Sequence, residues 1–420
     1  MPNHIVNHHI PKKAEGTYYT IPFPVPAGLE KITVSYSYRR KNGNTSNIVD
    51  LGLTDSGGRF LGWSGSARNT VFVGPHSSTN GYLMTDITPG EWRIIIGAYR
   101  IPQDGLDVRY EISYTPKAPH WLTGDLHMHS DASDGQHDIA TLAKKAVKAG
   151  LDFIAVSNHN NYAENFHLPA VPGLTLIPAV EWTHYMGHMN FYGAAAPFEN
   201  SFIANSEEEM LALAKTAKAA GALISANHPK CELCPYLWKS DNVFDIIEVW
   251  NGPMLPRNLR AIRWWHEMLC SGRKIPIVGG SDYHRDKSPV RLARPATRVF
   301  AASPSAKDIL SAVSSGHSYI TSSPSGTELE LSCEGAMMGD SIEWRPGMEI
   351  TIGASKLPTG STVKLITSQG VQAQWKHFRH GKLEARLLVT KEWRFAYITV
   401  AQNFPGFERI MAVSNPVYCV

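Results

Sequence analysis

No stretch of this 420-residue chain is a long apolar run. A helix crossing a bilayer needs roughly 20 consecutive apolar residues, and nothing approaches that length. The N-terminus, MPNHIVNHHIPKK, also lacks the apolar core of a secretory leader. Cysteine is scarce: five residues, Cys231, Cys234, Cys270, Cys333 and Cys419, odd in number and irregularly spaced. That argues against a disulfide framework and fits a reducing compartment. An excess of one charge sign is missing too, and a net charge of +3 gives no basis for nucleic acid or an anionic membrane as partner. Internal repeats and low-complexity tracts are absent. What remains is the expectation of a soluble cytoplasmic protein, its oligomeric state open.

The composition, 43% hydrophobic and 18% charged, is that of a folded chain long enough for two or three domains. Residues 17–115 carry short alternating runs such as KITVSYSYR and VRYEISYT between turn-forming clusters, the period of a β-sandwich. His4, His8 and His9 before it form a terminal cluster expected to be disordered. Prolines in YTPKAPHW, near 114–121, mark a linker. From 121 to about 322, strand-like and helical stretches alternate, as in GDLHMH, ATLAKKAVKAG and DFIAVSNH. That pattern predicts an α/β fold with a largely parallel sheet, open or closed. After 325 the pattern returns to β. The expected domains are 1–118, an N-terminal β-sandwich; 119–325, the α/β domain; and 326–420, a C-terminal β-rich domain.

Metal-ligand residue types cluster where the central strands stop. His127 and His129 share one face by their two-residue spacing. His159, Glu181 and His228 close later strands, and His188 opens one. Asp282 and His284 repeat the two-residue spacing, and Asp134 follows the first strand in its loop. Parallel α/β folds gather C-terminal strand ends on one face, where such enzymes build their sites. A single histidine at a strand end is ordinarily a capped or surface residue. Six histidines with three carboxylates at separate ends point instead to a metal centre. Imidazole with carboxylate suits zinc, manganese or iron; calcium and magnesium prefer all-oxygen cages. Nine ligands are too many for one tetrahedral ion and suit two or three divalent ions, with Glu181 as the natural bridge.

The stretches DLHMHSDASDG, SNHN, Glu181, GHMN, NHP and GGSDYH resemble the polymerase-and-histidinol-phosphatase (PHP) superfamily. Further stretches, among them GHMNFYG, DIIEVWNGP and RPATRVFAASPSAKDILSAVSSGHSYITSSP, resemble its carbaryl-hydrolase-like (CehA/McbA-type) branch. The resemblance implies a distorted (β/α)7 barrel. It also implies one ion on His127, His129, Glu181 and Asp282, a second sharing Glu181 with His188 and His228, and a third on Asp134, His159 and His284. Asn158 departs from the aspartate common in the family's second motif, which bears on how His159 is oriented.

Such a centre would make hydroxide available near neutral pH and polarise P=O or C=O, so no nucleophilic Ser or Cys is needed. The expected function is a metal-dependent phosphoesterase acting on a small-molecule mono- or diester. An aryl-carbamate or carboxylic ester hydrolase is the alternative, and a non-catalytic binding module a third reading. His184 is the candidate proton donor, Arg285 and Lys230 the candidate phosphate cations, and Arg294 a weaker one. Each of these is more commonly a surface residue. Cys231 and Cys234 form a lone C-x-x-C with neither zinc-ribbon nor thioredoxin context, and are expected to be structural or incidental.

Overall fold

The computed structural model describes residues 3–42, 45–198, 201–377, 381–389 and 391–420. They form a mixed α/β protein, rich in strand and poor in helix, divided into two compact units. The first takes in the chain up to Ala118 together with residues 170–173; the second holds the rest. No helix among the described residues is long and apolar enough to cross a membrane.

The first unit is two four-stranded antiparallel sheets. One orders His4–Ile10, Leu106–Pro116, Leu29–Tyr38 and Thr70–Val73; the other orders Tyr18–Val25, Gly90–Arg100, Ile48–Thr54 and Phe60–Gly65. Alternation explains both: in Tyr18–Val25 only Ile21, Phe23 and Val25 are buried. Inward residues of the two sheets, including Val34, Trp92, Ile94 and Tyr110, share one apolar core. The N-terminal histidines correct the expectation of disorder. His4–Ile10 pairs residue by residue with Leu106–Ile112, Val6 and Ile10 pack on the core, and His8 Nε2 lies 2.9 Å from Tyr19 Oη. A period-two pattern hidden among histidines suffices for an edge strand.

In the second unit the strands that matter for the site are β1 (His120–Met128), β2 (Phe153–Val156), β3 (Thr175–Trp182), β4 (Met189–Tyr192), β5 (Leu223–Ala226), β6 (Ile246–Asn251) and β7 (Ile277–Gly280). They are neighbours in that order. Pairing is parallel except around β4, which runs antiparallel to both β3 and β5. The chain past β7 returns to β1: Asp282 N donates to His127 O at 2.8 Å, and His129 N to Tyr283 O at 3.0 Å. The first half of β1 pairs with β8 (Ala296–Ala301), which pairs with β9 (Ser318–Thr321).

Four helices stand where the sequence has helical spacing: α1 (Ile139–Lys148), α2 (Glu207–Ala219), α3 (Pro256–Cys270) and α4 (Ala306–Ser314). Asp138, Ser206 and Ser305 cap α1, α2 and α4 by accepting from the backbone three residues on. Gly150, at φ +76°, ends α1 in the left-handed conformation that favours glycine. The regular alternation of a (β/α)7 barrel is not what this order shows. Segments 157–174, 183–188 and 227–245 link strands without an α-helix, because their polar residues, prolines and glycines offer no continuous apolar stripe.

The chain after 325 does not stand apart. Phe407–Ser414 pairs with β9, and Phe395–Phe404, Ser361–Thr367 and Gly370–His377 extend the same sheet. Phe395, Tyr397, Ile410 and Val413 join Trp265 and Ile320 in one core, which explains why the sheet is continuous. Glu328–Cys333, Ala336–Met337, Glu349–Leu357 and Gly381–Leu388 make a separate four-stranded sheet.

Candidate metal centre

Topology brings the nine expected ligands to one end of the sheet. Strands β1, β2, β3, β5 and β7 carry His127 with His129, His159, Glu181, His228, and Asp282 with His284 at or just beyond their C-terminal ends. The reversal of β4 accounts for His188: an antiparallel strand presents its start where its neighbours present their ends. Ligand atoms within 4.8 Å of one another form four overlapping groups. These are His129, Asp134, His159 and His284; His127, His129 and Asp282; His127, Glu181 and His228; and His188, His228 and Cys234. Together they contain all nine residues, and one cysteine besides.

Glu181 sits in the middle and is 1% exposed. Its Oε1 lies 3.1 Å from His188 Nδ1, 3.3 Å from His228 Nε2 and 3.4 Å from His127 Nε2, and accepts from Asn227 Nδ2 at 3.0 Å. Its Oε2 faces the other side, 2.9 Å from His159 Nδ1 and 3.5 Å from His129 Nε2. Burial pushes this carboxyl up, but the histidines, His127 foremost, outweigh it and hold it well below the usual range. Asp282 behaves alike: its Oδ1 lies 3.1 Å from His129 Nε2 and 3.5 Å from His127 Nε2.

Among the buried side-chain atoms without a hydrogen-bond partner, two belong to this cluster, His127 Nε2 and His129 Nδ1. Buried polar atoms are normally satisfied. His127 Nε2 points between two carboxylates at ion-pair range, the donor set a divalent transition metal takes. The residues present therefore fit metal ions. Asp282 at φ +54° and His228 at φ +30° hold left-handed backbone, strain that persists only where surroundings enforce it.

Around this cluster lies a layer of orienting contacts. Glu248, fully buried, holds His127 Nδ1 at 3.0 Å and accepts from His228 N at 3.1 Å and Asn251 Nδ2 at 3.2 Å. A carboxylate on the far nitrogen fixes ring and tautomer, turning Nε2 inward. Glu248 is absent from the expected ligands, although an acid inside the apolar run DIIEVW is a readable signal. Gly280 makes room for this pair: a Cβ there would sit 2.4 Å from His127 Cβ and 2.6 Å from Glu248 Oε1. Asp125, also fully buried, accepts from Ser281 N at 2.9 Å and Ala293 N at 2.8 Å, and burial pushes it up to about 6. The side-chain hydrogen bonds of Asn158 run to Ser130, Ser133 and Glu164, not to the His159 ring. Asn158 fastens the turn after β1, its Oδ1 accepting from Ser130 N and Ser133 Oγ at 2.9 Å, while Thr183 Oγ1 holds His159 Nδ1 at 2.6 Å.

Three of the four substrate-side candidates, His184, Lys230 and Arg285, are placed differently. His184 stacks on Trp182 at 5.2 Å and packs on Trp238 at 4.9 Å, its Nδ1 accepting from Met186 N. Burial lowers its pKa. Lys230 lays its ammonium over Trp264, 4.4 Å from the ring centroid. Arg285 is exposed and has no side-chain partner among the described residues. The C-x-x-C is closer to the chemistry than its context implied. Cys234 Sγ lies 3.5 Å from His228 Nδ1, and both cysteines are free thiols.

Residues 125–226 match the PHP domain. None of the curated proteins matches the chain. Among solved structures, a two-domain Bacteroides vulgatus protein proposed to contain a PHP-like metal-dependent phosphoesterase is 18% identical, over 70% of this chain and 95% of its own, with a TM-score of 0.42. A Bifidobacterium adolescentis protein proposed as a metal-dependent phosphoesterase is 17% identical over 40% of this chain and 90% of its own, with a TM-score of 0.29. A Chromobacterium violaceum amidohydrolase with bound sulfate and no metal is 14% identical over 40% and 89%, with a TM-score of 0.30. None of these distinguishes the carbaryl-hydrolase-like branch.

Proposed function

We propose that this protein is a metal-dependent hydrolase of small-molecule phosphoesters, with two or three zinc, manganese or iron ions held by His127, His129, Asp134, His159, Glu181, His188, His228, Asp282 and His284. The observation that carries the reading is Glu181, one buried carboxylate whose two oxygens face two separate sets of histidines. Divalent ions held there would lower the pKa of water and polarise the ester.

The chain's own residues do the positioning. Glu248 and Thr183 orient His127 and His159, Asn227 pins Glu181, and the Cys234 thiol shares His228 Nδ1. Leaving-group protonation falls to His184 and phosphate charge to Arg285 and Lys230, which must leave Trp264 to reach it. The same reading takes β1–β7 as a distorted PHP barrel in which β4 is reversed, and the protein as a member of the carbaryl-hydrolase-like branch.

Assaying the metal-loaded protein with aryl phosphate, aryl phosphodiester and naphthyl carbamate side by side tests it. Turnover of a phosphate ester is expected; turnover of the carbamate alone would overturn the phosphoesterase assignment.

A further inference from the structure

A cavity of about 680 Å³ opens beside the loops that carry the metal ligands, the size of a small-molecule site. Arg291, Arg294, Lys356 and Arg409 line it, with the hydroxyls of Ser323 and Ser325, and no lining residue is acidic. Lys356 Nζ pairs with Glu328 at 2.7 Å. The three arginines are exposed and have no side-chain partner among the described residues. Three guanidinium groups converging from two distant segments repel one another, and a forked donor matches an oxyanion edge.

The arrangement is held in place. Arg291 and Arg294 flank a tight turn in which Arg294 N donates to Arg291 O at 3.1 Å. Within it Ala293 is fully buried at φ +58°, its N–H given to the Asp125 carboxylate. That same carboxylate accepts from Ser281 N and His127 N. Lys356, also lining the cavity, adopts φ +55°. Gly252, at the cavity wall, donates to Gly280 O at 3.0 Å, and a Cβ there would meet Ser281 O at 3.4 Å. Ser281 precedes the ligand Asp282. The arginine turn and the metal-bearing loop are thus two arms of one hydrogen-bonded frame.

We propose that this cavity binds a phosphate group of the substrate other than the one hydrolysed, so that the preferred substrates carry two phosphates. The substrate class rests on the hydrolase reading; the binding site does not. Calorimetric titration of the full-length, metal-loaded protein with inorganic phosphate should show two phosphates per chain in the wild type. Arg291→Gln/Arg409→Gln should take up one fewer, with metal content and melting temperature retained. Arg291→Lys/Arg409→Lys, which keeps the charge, should recover part of the lost binding. In kinetics, an aryl phosphate bearing a second phosphate should have a KM at least about tenfold below the unsubstituted ester, as one good charged contact gives, and the Gln variant should lose that preference. Equal phosphate uptake by wild type and Gln variant, or a single site in the wild type, overturns the proposal even if aryl phosphate is turned over. Loss of one phosphate in the variant, with no phosphoester hydrolysed by the wild type, would uphold the binding site and overturn the hydrolase reading.

Discussion

The two compact units bury different things. Among the described residues of the N-terminal sandwich the buried polar ones are Asn47 and Thr79, neither charged, and the core is aliphatic and aromatic. The second unit buries Asp125, Glu181 and Glu248 at 0–1% exposure, and His127 and His129 completely. Among the described residues none of the three carboxylates has a Lys or Arg partner; histidines, amides and backbone N–H groups surround them. Burying charge without a fixed counter-charge is costly. A fold that does so at the converging ends of its strands is organised around a cation from outside. The described residues of the sandwich bury no charged side chain, whereas those of the second unit bury several around one cluster.

Substitutions on the two sides should separate these roles. Glu181→Ala should have the largest effect, lowering metal content and reducing turnover by more than the roughly 10–100-fold that loss of an outer orienting partner costs. Retained turnover at intact metal loading would refute its bridging role. Next comes Glu248→Gln, which leaves the shape but weakens the hold on His127 Nδ1. Metal affinity, followed by competition with a chelator, should fall about 10–100-fold.

Ile94→Ala in the sandwich core should cost about 2–5 kcal/mol in denaturant unfolding of that unit, with metal content unchanged. A loss of metal there would break the contrast between the units. Cys234→Ala removes only the thiol at His228 Nδ1. A loss in metal retention smaller than that of Glu248→Gln is expected, seen as faster release to chelator.

Much of the candidate cluster was legible because its residues break a pattern. A histidine or carboxylate at the end of an apolar run, repeated from His127 to His284, is visible without a structure. Glu248 was missed because it lies inside a strand, where an acid reads as an interruption and not as an end. Cys234 was read as structural or incidental because its contact with His228 is made through the turn of the 227–245 loop, and local motif context says nothing of that. The four helices follow from apolar spacing and their caps. The reversal of β4 does not: β3 and β4 are joined by residues 183–188, too few for a crossover to a parallel strand, but their periodicity alone does not reveal direction. Arg409 lies more than a hundred residues from the Arg291–Arg294 turn in sequence and meets it only through the continuous sheet.

The most direct test of the central claim is the metal content of the purified full-length protein after expression in medium supplemented with zinc, manganese and iron. The buried histidine–carboxylate cluster predicts two or three divalent ions per chain that survive desalting. Fewer than one ion per chain, in a protein that is folded, would contradict it.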